Sequence, residues 1–145
     1  ENENITLTTD IIVGFPGESE DDFERTLEVI ERVKYDSVFS FIYSPRKGTP
    51  AASMENQIPE EIKHERYQRF CDKQNDISKE INDSFVGKSV RVLVDGKSKS
   101  NEKMYTSRTQ GNKIVHFECD KDYTGSFINV KITRADTFNL FGEII

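Results

Sequence analysis

Apolar residues recur along this chain with two different periods. Ile5, Leu7, Ile11, Ile12 and Val13 form a β-rich run that stops at Gly14-Phe15-Pro16-Gly17, where Gly and Pro break the pattern. Phe23, Leu27, Ile30 and Val33 then follow at spacings of four, three and three, which puts them on one face of a helix. Ser19 is placed to cap that helix, and Glu20, Asp21 and Asp22 complement the positive end of its dipole. A second strand, Ser37 to Tyr43, comes straight after. Strand, helix and strand joined by a crossover predict a parallel, right-handed βαβ unit. Its strand-end loops, Gly14 to Glu18 and Ser44 to Thr49, then open on one side, where α/β folds place their active sites.

Pro59, at a first helical position, opens a long helical stretch reaching about Val86. Ile62, Tyr67, Phe70, Ile77, Ile81 and Phe85 are its expected packed side. Beyond Gly87 the period changes to two: Val90, Val92 and Val94 alternate with Ser89, Arg91 and Leu93, and Ile128, Val130 and Ile132 with Asn129, Lys131 and Thr133. Five short strands are expected, near 88–95, 103–109, 113–119, 126–134 and 137–145, split by Asp95-Gly96, Gly111-Asn112 and Thr124-Gly125. Five strands in so short a span predict a small OB-like barrel. The fold class is therefore α/β plus all-β, with a division at 1–86 and 87–145.

Composition adds a compartment and a partner class. Hydrophobic residues make up 34% and charged residues 32% of the 145, with no Trp. That fits a polar-surfaced protein, and no apolar run approaches the ~20 residues of a membrane helix. No basic-then-apolar leader opens the sequence, so no membrane partner and a cytoplasmic setting are the expectations. The chain begins at Glu1 rather than Met and enters a strand-like run almost at once, so a missing upstream segment is expected. The net charge of −6 hides an asymmetry. Residues 87–145 carry ten Lys and Arg against seven Asp and Glu, and the first 86 carry ten against nineteen. The basic block is the part to test for nucleic acid.

Few residues are singled out for chemistry. Cys71 and Cys119 lie 48 positions apart with no partner spacing around them, so they read as ordinary thiols rather than metal ligands or a disulfide. His64, in a charged helix, and His116, in a strand, read as solvated or packed. Gly14-Phe15-Pro16-Gly17-Glu18 has the form of an anion cradle at a helix N-terminus, yet Glu18, Glu20, Asp21 and Asp22 would repel phosphate. A neutral or cationic ligand and a plain capped turn both remain open. Tyr43 to Pro50 puts two cations, Arg46 and Lys47, and the two aliphatic hydroxyls of Ser44 and Thr49 at the same end, as a binding rim or a surface loop. In the C-terminal block Arg91, Lys103, Arg108, Lys113, Lys131 and Arg134 are interleaved with Tyr105, His116, Phe117 and Phe127. Cations for the backbone and flat faces for unstacked bases suit loop or single-stranded RNA. Aromatics in the core with a solvated cationic rim are the alternative.

Thr9-Asp10-Ile11-Ile12-Val13-Gly14-Phe15-Pro16-Gly17-Glu18, then Phe41-Ile42-Tyr43-Ser44-Pro45-Arg46 with Gly48-Thr49-Pro50-Ala51-Ala52, resemble the closing strands of the radical-SAM barrel in methylthiotransferases. Gly87-Lys88, Ser107-Arg108-Thr109, Asn112-Lys113 to Phe117 and Gly125-Ser126-Phe127 to Ile132 are similar to the TRAM domain of the same enzymes. Together the two blocks cover nearly the whole chain in the family's order, and they resemble most the MiaB type, which acts on isopentenylated adenosine beside the anticodon. The resemblance implies a parent enzyme using S-adenosylmethionine and two four-iron four-sulfur clusters to insert and methylate a sulfur at an adenine C2. The cluster cysteines, including a Cys-x-x-x-Cys-x-x-Cys run, are expected upstream, so the clusters are not bound by this segment and it is catalytically incomplete.

By the same resemblance Gly14, Pro16, Gly17 and Glu18, with Tyr43, Ser44 and Arg46, map onto the cofactor rim. The resemblance also implies that the TRAM-like part grips the anticodon arm through its phosphates, for which the basic block offers Arg91, Lys103, Arg108, Lys113, Phe117, Lys131 and Arg134 as candidates. The remaining partners are the missing N-terminal part of the enzyme and, through the uncovered edges of a two-stranded barrel piece, a second copy of the chain. A sister enzyme acting on threonylcarbamoyladenosine shares most of these motifs and one acting on a ribosomal protein fewer; Pro45-Arg46 and the Thr-Pro-Ala-Ala run favour a tRNA enzyme. A non-catalytic RNA-binding module and a structural or interaction protein are the alternatives from other classes.

Overall fold

The computed structural model describes residues 5–99, 101 and 103–145, which pack as two units. One is Leu7–Ile77; the other is Ser78–Ile145 with Ile5 and Thr6.

In the first unit β1 (Thr8–Val13) and β2 (Ser37–Ile42) pair in parallel, Val13 opposite Ile42, with α1 (Glu20–Val33) as the crossover. Ser19 caps α1: its Oγ accepts from the Asp22 amide at 3.1 Å while the Asp22 carboxylate accepts from the Ser19 amide at 3.0 Å, a reciprocal box. Phe23, Leu27 and Ile30 are buried as expected. Val33, the fourth member of that face, is largely exposed, because the next residue, Lys34, turns left-handed at φ 54° and ends the helix there.

The second helix, α2, spans Glu60–Asp83. Its buried stripe is not the expected apolar one. Lys63, Arg66 and Gln74 are buried beside Phe70 and Ile77, while Ile62 is exposed. Spacings of three, four, four and three make this stripe as regular as an apolar one. Its charged members are stabilised by carbonyls and carboxylates of the strand-end loops, described below.

The second unit is a closed barrel in the order β3-β4-β5-β7-β6, built from β3 (Ser89–Lys97), β4 (Met104–Thr109), β5 (Ile114–Glu118), β6 (Phe127–Ala135) and β7 (Asn139–Ile144). All pairings are antiparallel except β5 with β7. Each expected strand is present within a few residues. Val92, Val94, Tyr105, Val115, Phe117, Val130, Ile132 and Leu140 fill the interior. The alternate residues of each strand stand outside.

Closure depends on Gly142, where an added Cβ would collide with the Lys131 carbonyl, so β7 reaches β6 only without a side chain. The end of α2 packs with the barrel: Asn82 Nδ2 donates to the carbonyls of Asp136 and Thr137, both at 3.0 Å. The packing division thus falls after Ile77, several residues before the change of period at Gly87.

Candidate nucleic-acid interface

At the strand ends of the first unit the loop Gly14–Glu18 folds back on itself. Gly14 takes φ 81°, and any Cβ there would collide with the Lys63 stem, so the position needs glycine for both conformation and space. The Gly14 amide donates to Glu18 Oε2 at 3.1 Å, and Arg66 Nη1 donates to Glu18 Oε1 and to the Glu18 carbonyl, both at 2.9 Å. Arg66 Nε also reaches Glu20 at 3.1 Å, and Arg69 bonds Glu20 and Glu24. The Glu18 and Glu20 charges are therefore paired from behind by α2. The repulsion of anions argued from four carboxylates is weakened at these two and stands at Asp21 and Asp22, since the hydrogen bonds of the helix cap keep Asp22 charged. The hydrogen bond from Arg69 holds the Glu20 carboxyl below its usual range, aided by Arg66 and opposed by desolvation. Ser19 does the same for Asp22.

Among the expected rim residues, then, Glu18 is turned inward and serves the loop, and Pro16 is buried. Gly14 and Gly17 offer backbone, although the Gly17 amide donates to the Asn56 carbonyl at 2.9 Å. Tyr43 is 9% exposed; Lys63 Nζ donates to its carbonyl at 3.1 Å, and Phe15 meets its ring edge-on at 5.3 Å. The Tyr43 hydroxyl is buried with no hydrogen-bond partner among the described residues. Ser44 and Arg46 face solvent at the same end of the parallel pair.

On the barrel the expected RNA residues divide. Phe117 is corrected: it is 1% exposed and stacks on Tyr105 inside the barrel at 5.8 Å, so its face is not available to a base. Tyr105 is core for the same reason. Lys113 Nζ is bound to Asn82 Oδ1 at 3.0 Å and lies over the Phe85 ring, and Arg108 is bound to Asp95 and Asn112 at 3.0 Å each. Lys103 is exposed in the β3–β4 connection.

The other three share one surface. Arg91 of β3 and Lys131 and Arg134 of β6 point outward, and among the described residues none is paired with a carboxylate. The Arg91 guanidinium lies 4.4 Å from the Phe127 ring, which is 60% exposed, and the Arg134 guanidinium 3.6 Å from Phe141. His116 packs on Phe141 at 5.5 Å, its ring nitrogens 3.4 Å from Thr106 Oγ1 and 3.3 Å from Asn139 Oδ1. Phe141, Asn139 and Thr106 were not legible as site residues. They join it only through the pairings His116↔Phe141, Arg134↔Phe141 and Thr106↔His116, which link residues distant along the chain.

Residues 83–145 match the TRAM domain family. Over 98% of its length the chain is 56% identical to the tRNA-2-methylthio-N(6)-dimethylallyladenosine synthase of Acetivibrio thermocellus, covering 30% of that protein. The proteins of the same name from Alkaliphilus oremlandii and Clostridium botulinum are each 52% identical over 98% of the chain, which covers 30% and 32% of them. Five strands closing a barrel over the matched residues, and relatives of one name along both units, lead to one placement: the chain carries a TRAM domain and is, over nearly all its length, a relative of the tRNA-2-methylthio-N(6)-dimethylallyladenosine synthases, about 30% of whose length it spans.

Proposed function

We propose that this chain is the tRNA-gripping part of a radical-SAM methylthiotransferase that adds a methylthio group to C2 of N6-dimethylallyl (isopentenyl) adenosine beside the anticodon. Residues 87–145 bind the anticodon arm, and residues 1–86 are the closing piece of the catalytic α/β barrel with its connecting helix. The observation that carries this is the outward surface of β3, β6 and β7, where Arg91, Lys131 and Arg134 stand beside Phe127 and Phe141 with no carboxylate partner among the described residues. Cations whose charge no carboxylate pairs are available to phosphates, and release of condensed counterions makes such binding salt-dependent. The relatives' names favour dimethylallyladenosine over threonylcarbamoyladenosine as the modified base.

The strand-end loops support a cofactor rim in the same reading. A buried tyrosine hydroxyl with no partner costs about 1–3 kcal/mol unless something bonds it, and Tyr43, which precedes the exposed Ser44 and Arg46 in the chain, has one without a partner among the described residues. Tyr43, the backbone of Gly14 and Gly17, Ser44 and Arg46 would hold polar groups of S-adenosylmethionine. Glu18 supports them by fixing the loop. When bound, S-adenosylmethionine and the four-iron four-sulfur clusters supply the radical and methyl chemistry; the clusters would be held by cysteines beyond this chain. Among the described residues no three His, Cys, Asp or Glu side chains converge as a metal site, and no helix there is long and apolar enough to cross a membrane. The cytoplasm, where tRNA is modified, is the compartment proposed.

The test is fluorescence anisotropy of the 145-residue chain with a tRNA anticodon arm across a salt series. Three phosphate contacts give a slope of log K on log salt of roughly −2 to −3. Affinity flat across the series, or absent at low salt, overturns the reading.

A further inference from the structure

The side chains facing outward along β6 form an ordered row: Phe127, Asn129, Lys131, Thr133 and, after a bulge, Arg134. Aromatic platforms flank both ends. Phe127 carries Arg91 over its ring at 4.4 Å, and Arg134 lies on Phe141 at 3.6 Å with His116 beyond it. Lys131 lies between them, and Asn129 and Thr133 offer donors and acceptors along the way. At ~3.3 Å per residue the row from 127 to 134 extends roughly 20 Å. That matches the lower end of the ~4–16 nucleotides engaged by one OB-type barrel.

We propose that this face is a track for unpaired RNA, with one base stacked on Phe127, another on the Arg134 guanidinium, and the intervening phosphates on Lys131. The proposal rests on residues 87–145 being the RNA-binding part and deepens it by naming the strandedness of the RNA they take. A duplex hides its base faces and presents phosphates and 2′-hydroxyls, so it would use the cations and leave the rings idle. A ring as exposed as Phe127, 60% open, adds little to barrel packing, whereas unstacked bases require such faces. The exposed Arg134, its guanidinium 3.6 Å from the Phe141 ring centroid, is held in place by the ring and loses less rotamer freedom on binding a base. The carboxylates nearby are Glu143, opposite Lys131 on β7, and Asp136, whose Oδ1 accepts from the amides of Phe138 and Asn139. Glu143 lies on the side of the row away from Arg91.

Phe127→Leu and Arg134→Lys separate stacking from charge, since each keeps polarity and net charge while removing a flat surface. Anisotropy of the full chain would be measured with a short unstructured RNA oligonucleotide and with a blunt RNA duplex of equal length, after circular dichroism shows each variant folded. Expected is a loss of about five-fold or more for the unstructured RNA in each variant, with duplex affinity and the salt slope unchanged. Variants that bind the unstructured RNA as the unchanged chain does, or that lose both RNAs equally, overturn the track. If the unchanged chain takes only duplex, the track falls and the RNA-binding reading stands. If it takes neither at low salt, both fall.

Discussion

Phe117 and Phe127 have the same side chain, and both lie on barrel strands. Phe117 points inward onto Tyr105, and Phe127 points outward under Arg91. Their substitutions therefore separate. Phe117→Ala removes a fully buried ring and costs about 3–5 kcal/mol in urea unfolding, while Phe127→Ala changes stability by less than about 0.5 kcal/mol. Equal losses at the two sites would contradict the inward and outward assignment. Gly142 makes a third case: Gly142→Ala pushes a methyl group into the Lys131 carbonyl, and backbone cannot swing aside as a side chain can. Overpacking of about 1–3 kcal/mol is the expected cost, read as a lower urea midpoint with the slope retained.

The first part of α2 turns Lys63 and Arg66 into the interior of the first unit, where Arg66 ties down the strand-end loop through Glu18. Arg66 serves Glu18 and Glu20 together, so Arg66→Ala leaves the nearly buried Glu18 carboxylate without its cation. About 3 kcal/mol of destabilisation is expected, the lower end for breaking a buried pair, and hydrogen exchange should quicken at the Gly14 amide that Glu18 holds. The same elements set the acid response. Glu20 and Asp22 titrate below their ordinary values of 4.5 and 3.8, chiefly through Arg69 and Ser19. A lowered carboxylate binds fewer protons folded than unfolded, so its contribution is complete above the ordinary value and fades as pH falls through the folded one. Thermal stability should therefore drop below about pH 4.5, and Glu20→Gln should flatten the upper part of that drop. An identical pH profile for the variant would show that the pairing adds nothing measurable, as many exposed pairs do.

For the chain as a whole, the uneven charge and the uncovered sheet face bear on its partners. On β1 and β2 the side away from the helices carries Ile12, Phe39 and Phe41, 55–63% exposed and adjacent through the pairing Ile12↔Phe41. Two strands with a bare apolar face do not satisfy themselves in water. In the parent enzyme proposed above, further barrel strands would cover this face. In the 145-residue chain alone, concentration-dependent self-association is expected, and light scattering after size exclusion should show Phe39→Ser with Phe41→Ser shifting it toward monomer. A clean monomer at high concentration for the unchanged chain would contradict this.

Periodicity determined much of the architecture without coordinates. A period of two after Gly87, punctuated by Gly and Asp turns, is the mark of strands with one wet and one dry side, and the barrel's valines, isoleucines and leucine follow it. The cap at Ser19 was equally legible, because a cap and its helix are neighbours in sequence. Two matters were not. Which cations of α2 turn inward could not be read, since Lys63 and Arg66 look like solvent-facing residues until Glu18 and the Tyr43 carbonyl, far off in sequence, are brought against them. Nor could the row joining Arg134, Phe141 and His116, because it crosses strands whose neighbours are set by barrel closure rather than chain order. Local spacing decides which way a side chain faces along its own element. Only the pairing of elements decides what it meets there, and the candidate interface is made of such meetings.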